Sequence, residues 1–354
     1  MGKIRIAIIG CGNIARHAHL KNYLQLTDRF ELVAACDIIP ERAEAVAKEY
    51  GIPATFTDYH DVLKLEGLDA VDICTPNYLH SIIAVDALNA GLNVLCEKPD
   101  AINPQEALRM KEAAEKNGKL LMVIRNNRFM TQTQYLKKYI DEGKLGEIYA
   151  ARCGWQRRRG VPGRGGWFTT KEQSGGGPLI DLGVHMIDVA MWLMGSPHPV
   201  SVSGCTYNKF ANDTSSLGHY GGEGKAGGTF DVEDLAMGFI RFDNGACLQL
   251  EFSWASNIRC DNKFFELRGT DAGAELSGTD GELRIYGEAC GRPVDLIPQL
   301  GKDVPGHLGN LQNFADAIEG KAEPVFKVQE GVDMIKILCA IYESAKTGRE
   351  VVLD

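Results

Sequence analysis

No run of about 18 uncharged apolar residues occurs in the chain, so no segment reads as a membrane-spanning helix. The opening, MGKIRIAIIGCGNIA, is apolar only briefly and is soon broken by glycines. It therefore reads as the first strand of a folded domain and not as a secretion signal. Ile6 stands where a myristoylation motif wants Ser or Thr. Positive charge is in deficit: 38 Lys and Arg face 47 Asp and Glu, for a net charge of −9. Such a chain has no general attraction for nucleic acid or for an anionic membrane. The ten cysteines form no CxxC pair and no zinc-ligand spacing, and there is no HExxH, so no metal is expected. Cys36, Cys74 and Cys96 lie inside apolar runs and read as small buried hydrophobes. The expected home is a reducing cytoplasm.

What the chain does have is enough length for two domains. It has 354 residues, 44% hydrophobic and 24% charged, an ordinary globular composition. Through residue 125, short strand-like runs (4–9, 31–36, 70–74, 93–96, 120–124) alternate with helical patterns (14–26, 41–50, 80–90, 104–117). That alternation predicts right-handed βαβ crossovers and a doubly wound parallel sheet. Pro40 and Pro104 sit at helix starts, and Gly51, Gly91 and Gly118 follow helix ends. Beyond residue 129 the pattern changes. A helix is expected at 133–142, an arginine- and glycine-rich loop at 156–177 and an apolar helix at 179–194. Alternating runs follow at 200–208, 234–242, 246–255, 263–269 and 282–286, with hairpin-type turns at 243–245 and 279–281. Two helices, 308–319 and 329–347, close the chain. Six glycines within 218–228 mark a further loop. The fold class expected is α/β: a Rossmann domain at 1–125, then at 126–354 an α+β domain with an open, mostly antiparallel sheet.

Chemistry concentrates where strands end. Gly10-Cys11-Gly12-Asn13-Ile14-Ala15 is GxGxxA between a strand and a helix. Gly10 permits the tight turn, and Gly12 lets the backbone approach a pyrophosphate. Ala15 lets the helix pack on the strand, and the helix start at Asn13 and Ile14 offers N–H groups to phosphate. Asp37 ends the second strand roughly twenty residues further on, where a carboxylate accepts from ribose hydroxyls and repels a 2′-phosphate. NAD is therefore expected over NADP. Thr75, Pro76, Asn77 and His80 follow the next strand and are candidate cofactor contacts, with Asn77 also a candidate helix cap. Glu97-Lys98-Pro99 ends another strand, where Lys98 is placed to hydrogen-bond a substrate oxygen. The Lys98–Pro99 bond is one that can be cis at modest cost. Downstream, GGGPLIDLGVHMID puts Asp181 and His185 four apart on one helix face, with Asp188 a turn beyond. A histidine beside a carboxylate is a general acid/base candidate.

Taken together, GCGNIA, Asp37, TPNYLH, EKP, NNRF at 126–129 and GGGPLIDLGVH resemble the Gfo/Idh/MocA oxidoreductases, in that family's order and over nearly the whole chain. The resemblance implies a Rossmann domain followed by an α+β domain whose open sheet builds homodimers or homotetramers. It implies a catalytic set of Lys98, Asp181 and His185, with Glu97 near the nicotinamide ribose. Asp100 departs from the pattern, because an apolar residue commonly follows EKP, and it should change the surroundings of Lys98.

The expected reaction interconverts a secondary alcohol of a sugar, cyclitol or glycoside and its ketone by hydride transfer to NAD. His185 takes the proton, Lys98 stabilises the oxygen, and Asp181 orients substrate or imidazole. Asn126 and Arg128, Trp155 and Trp167, and Arg157 and Arg158 are candidate substrate contacts. Tryptophan faces suit the C–H faces of sugars, and guanidinium groups suit an acidic substituent. Arg159 and Arg164 share the loop. One rival reading is a redox-neutral enzyme that holds NAD tightly and cleaves a glycoside by oxidation, elimination and re-reduction. A further rival, a non-catalytic nucleotide-binding sensor, is disfavoured by the presence of all three catalytic candidates.

Overall fold

The five short apolar runs expected through residue 125 become parallel strands, and a sixth strand, at 54–56, was not expected. They are β1 (Ile4–Ile9), β2 (Phe30–Cys36), β3 (Ala54–Phe56), β4 (Ala70–Ile73), β5 (Asn93–Cys96) and β6 (Leu121–Val123), in the order β3-β2-β1-β4-β5-β6. The computed structural model describes residues 2–211, 224–277, 281–302 and 304–353. Every pair in this sheet is parallel, and the order is that of a doubly wound dinucleotide-binding sheet. The inner strands β1, β4 and β5 are buried on both faces, which is why they read as continuous apolar runs and not as alternating ones. Helices Pro40–Tyr50 and Pro104–Asn117 start on the expected prolines and end on left-handed Gly51 and Gly118. The helix expected at 14–26 is shorter and is wound in two ways, as a π turn at Ala15–His19 and an α turn at Leu20–Tyr23.

The second sheet has nine strands in the order β14-β13-β12-β11-β7-β10-β9-β8-β15. They are β7 (Ile148–Gln156), β8 (Pro199–Tyr207), β9 (Leu235–Phe242), β10 (Cys247–Ser253), β11 (Asn262–Gly269), β12 (Gly273–Ser277), β13 (Glu282–Ala289), β14 (Arg292–Leu296) and β15 (Val351–Val352). All pairs are antiparallel except β7 with β10. The sequence reading missed β7, which lies centrally between β11 and β10. Its interior includes Ala150, Ala151 and Gly154, and at Gly154 packing requires it: a Cβ there would lie 2.6 Å from the Phe264 ring. Of the loop expected at 218–228, residues 218–223 lie outside the described residues. Positions 279 and 280 of the expected turn lie outside them too. No helix among the described residues is long and apolar enough to cross a membrane.

The chain divides into two compact units, Met1–Asn126 with Pro305–Ile335 and Asn127–Val304 with Lys336–Asp354. The expected second domain ran unbroken from 126 to the end. Instead, helix Gly306–Ile318 returns to the first unit and places Leu308, Leu311, Phe314 and Ala315 in one core cluster with Ile4, Ile6, Ile8 and Leu95. Apolar periodicity marks such a helix but cannot say which sheet it covers. The structure thus predicts that Phe314→Ala, at a fully buried site, lowers the unfolding free energy by about 3–5 kcal/mol in urea titration. A loss below about 1 kcal/mol would contradict this helix's place in the core.

Candidate active site

In the first unit the turn after β1 is fixed by steric fit. Gly10 has φ +95°, and a Cβ there would lie 2.6 Å from the Cys74 carbonyl oxygen. A Cβ on Gly12 would meet nothing within 4 Å, so the backbone is open to a ligand at that point. Ala15 is fully buried, whereas Asn13 and Ile14 are exposed at the helix start. Asp37 is held on both oxygens: Oδ2 accepts the Cys11 N–H and Oδ1 the Ile39 N–H, each at 2.9 Å. Each oxygen keeps a lone pair for a further donor such as a ribose hydroxyl. Burial, and then the Asp37 charge, push the Cys11 thiol up to about 12, so it stays neutral beside this carboxylate. Thr75 Oγ1, just beyond β4, is buried with no hydrogen-bond partner among the described residues. A glycine cradle, an aimed carboxylate and an orphaned hydroxyl at the strands' carboxyl ends fit a dinucleotide.

Two expected cofactor contacts have other work. Both ring nitrogens of His80 face backbone carbonyls, Pro99 O at 2.7 Å and Thr75 O at 2.8 Å. His80 therefore ties the Thr75 loop to the Lys98–Pro99 loop, and neither nitrogen is left for a cofactor. Glu97 is buried: Oε1 accepts from His19 Nε2 at 2.8 Å and faces His307 Nε2 at 3.4 Å, while Oε2 accepts the Lys98 N–H at 3.0 Å. Burial works to raise the Glu97 carboxyl, but the two histidines override it and hold it well below the usual range. The Lys98–Pro99 bond is cis. Asn77 is buried in the turn Asn77–Leu79, and neither helix start there, at Pro76 or Leu79, shows a side-chain cap. Asp100 is neutralised by Arg125, whose Nη2 lies 2.6 Å from Oδ2, with both side chains buried. The departure from the family pattern thus arrives together with its own counter-charge.

In the second unit the motif helix is also wound in two ways, π at Leu179–Gly183 and α at Val184–Leu193. Such π turns are frequent at functional sites. Asp181 lies in the π turn, where its Oδ2 accepts the Trp254 indole N–H at 3.0 Å. The His185 ring lies 6.2 Å from the Trp155 ring. Trp155 is on β7 and Trp254 directly follows β10, the strand beside β7, so both side chains of the motif helix meet neighbouring strand ends. Two glycines before this helix, Gly176 and Gly177, admit protein groups. A Cβ on Gly176 would strike Tyr342 Oη, and one on Gly177 would strike the Glu233 carbonyl. Glu233 accepts the Gly177 and Leu179 N–H groups at 2.9 and 3.1 Å and the Tyr342 hydroxyl at 2.8 Å, a buried carboxylate at the motif helix's start.

Several expected substrate contacts are structural. Asp188 has a buried cation of its own. It takes Arg128 in a bidentate pair, Nε at 2.8 Å and Nη2 at 2.7 Å, and both side chains are buried. Arg157 donates to Gly160 O and stands over Trp155, and Arg158 donates to Arg259 O. Arg159 reaches Ser256 O and Asn257, and Arg164 bonds Ala211 O. These arginines fasten the loop to the chain around it. Trp167 stacks on Phe168. Asn126 belongs to the first unit, and its Oδ1 is buried with no partner among the described residues.

Sequence reasoning missed Lys263. It lies on β11 with Nζ 4.6 Å from the Trp155 ring centre and 3.4 Å from Asn127 Oδ1. Among the described residues no carboxylate pairs with it, and burial lowers its pKa to about 8. Only its position across the sheet from Trp155, with which it pairs in register, reveals it.

With this geometry in hand, the chain can be set beside known proteins. Residues 4–125 match the family model for the oxidoreductase family with an NAD-binding Rossmann fold, and residues 133–284 match the Gfo/Idh/MocA C-terminal domain. The chain is 38% identical over 351 residues to D-glucoside 3-dehydrogenase of Escherichia coli (strain K12), covering 99% of this chain and 97% of that protein. It is 28% identical over 363 residues to scyllo-inositol 2-dehydrogenase (NAD(+)) of Bacillus subtilis (strain 168), covering 99% and 97%. The solved structure of levoglucosan dehydrogenase with NADH and L-sorbose superposes with a TM-score of 0.88 at 25% identity, covering 100% of both chains.

The uncompensated ammonium has a consequence for stability. Lys263 is held near pH 8 in the folded chain against 10.5 when unfolded. Between those values the unfolded chain binds more protons, so stability rises with pH there, and below pH 8 the full penalty is present. Lys263→Met should stabilise the protein at pH 7 by up to about 3 kcal/mol and flatten that rise. Denaturant titrations at pH 7 and 9.5 check this, and equal stability of the two proteins at pH 7 refutes it.

Proposed function

This chain belongs to the Gfo/Idh/MocA oxidoreductase family, and we propose that it oxidises a secondary hydroxyl of a pyranoside or cyclitol, D-glucosides being the first class to examine. The observation that carries the reading lies in the second unit, where Asp181 and His185 lean on two tryptophans at adjacent strand ends. An acid/base histidine beside an indole face suits a ring that offers hydroxyls at its edge and C–H groups on its face. The 38% identity to a D-glucoside 3-dehydrogenase over nearly the whole chain supports the substrate class. Gly10, Gly12, Asp37 and Thr75 supply the groups that would hold NAD, and NAD when bound supplies the hydride acceptor.

The protein's own groups then have distinct tasks. His185 accepts the hydroxyl proton at its ring nitrogen. Lys98 donates to the same oxygen as charge develops on it. Asp181, fixed by the Trp254 indole, orients the hydroxyl or the imidazole. Trp155, which borders the histidine, and Lys263, which stands over Trp155, are assigned to hold the ring. The exposed Tyr149, Tyr207, Tyr286 and Leu296 on the large sheet support a homodimer or homotetramer built through that sheet, a state that light scattering reads directly.

Absorbance at the NADH band, with NAD and a panel of methyl glucosides, levoglucosan and inositols, tests the reaction. A rise with one class identifies it. Cleavage of a glycoside with no net NADH, and with nucleotide retained through purification, identifies the redox-neutral chemistry instead. Lys98→Met should keep NAD affinity and lower kcat by about 10²–10³-fold; full turnover would refute the role of Lys98. Asp37→Ala should weaken NAD binding and narrow the preference over NADP, and an unchanged ratio of the two affinities would refute the ribose assignment.

A further inference from the structure

Beside the dinucleotide turn lies a buried set of charges that the proposed reaction does not use. His19 ends the π turn Ala15–His19 and is 1% exposed. Its Nδ1 lies 2.8 Å from Asp72 Oδ2 and its Nε2 2.8 Å from Glu97 Oε1. Carboxylates only accept, so both nitrogens donate and the ring is an imidazolium. Tyr23 Oη donates to the same Asp72 oxygen at 2.9 Å. Glu97 spends its other oxygen on the Lys98 N–H at 3.0 Å. A continuous path thus runs Tyr23, Asp72, His19, Glu97, Lys98, entirely within the first unit.

We propose that His19 is a positioning residue, which fixes Lys98 by clamping Glu97 from the helix that follows the dinucleotide turn. The inference rests on the reading of Lys98 as the donor to the substrate oxygen. The cation is what holds Glu97 in place. Without it, two buried carboxylates would face one another across the vacated position, and one would have to take a proton or turn away. If Glu97 turns, the Lys98 N–H loses its acceptor. Asp72 and Tyr23 hold the imidazolium from its far side, so the clamp has a fixed end and a working end. His307 also faces Glu97, and His19, Glu97 and His307 together have the donor types of a metal site. The 2.8 Å separation of His19 Nε2 and Glu97 Oε1 is instead that of a shared proton, since atoms on a tetrahedral zinc lie about 3.3 Å apart.

Amide hydrogen exchange read by mass spectrometry reports on Lys98 directly, because Pro99 has no N–H to confuse the signal. His19→Gln should speed exchange of the Lys98 amide by about tenfold or more. The same variant should lower kcat per folded molecule by about 100-fold and leave the NAD dissociation constant, by calorimetry, within about threefold. In a Lys98→Met background the change at His19 should cost no further rate. Should His19→Gln fail to fold, Glu97→Gln decides, since it conserves volume yet its amide cannot accept from both His19 and Lys98. Wild-type exchange and wild-type kcat, with Lys98→Met inactive, would overturn the positioning role alone. Full turnover by Lys98→Met would overturn the functional reading and this inference with it. One equivalent of zinc in the purified protein would also overturn it.

Discussion

A cation buried between two carboxylates holds the first unit's functional segments in register. Removing a charge from water costs several kcal/mol, and the cost is tolerable only where geometry is good and every donor and acceptor is used. His19, Asp72 and Glu97 meet that condition, and so do Asp100 and Arg125. These residues come from the first motif helix, the ends of β4 and β5, and the end of β6. Breaking one partner of such a pair leaves an uncompensated buried charge, at about 3–5 kcal/mol. The segments that frame the dinucleotide turn are therefore coupled by electrostatics as well as by apolar packing. His80 adds a third tie by joining the Thr75 loop to the Pro99 carbonyl.

The second unit follows the same rule and departs from it once. Arg128 and Asp188 are paired, and Glu233 caps the start of the motif helix with Tyr342 behind it. The glycines of the GGGP segment let these groups approach closely, so they serve the placement of Asp181 and His185 from behind. Lys263 departs from the rule, with an ammonium over Trp155 and no carboxylate beside it among the described residues. A protein keeps a destabilising charge where function uses it. This cation stands over Trp155, the same ring that His185 approaches.

Sequence reading succeeded where the signal is local. The glycine turn, the proline and glycine punctuation and the parallel strands each depend on residues a few positions apart, and each is found where it was expected. It says nothing of partners that lie far away in the chain. Arg128 reads as a cleft residue until Asp188 is seen across from it, sixty positions on. Glu97 and His80 read as cofactor contacts, and their hydrogen bonds to His19 and to the Pro99 and Thr75 carbonyls are visible only in the fold. The arginine-rich loop reads as a binding surface, and the backbone carbonyls that its guanidinium groups also meet are visible only in the fold. Strand β7 carries one β-branched residue, Ile148, and Phe264 across the sheet demands glycine at 154, so its local signature is weak.

By itself, then, the sequence determined the order of elements, the class of each domain, the dinucleotide turn with its acidic partner, and the family whose motifs the chain carries. Those properties follow from dihedral preferences, side-chain periodicity and short spacings, which act within a turn or a strand. Tertiary structure alone decided which polar groups neutralise one another and which sheet the helix Gly306–Ile318 completes. It also decided that Lys263 stands over Trp155. Those outcomes depend on desolvation and pairing between residues far apart in the chain, and no local pattern encodes who will meet whom.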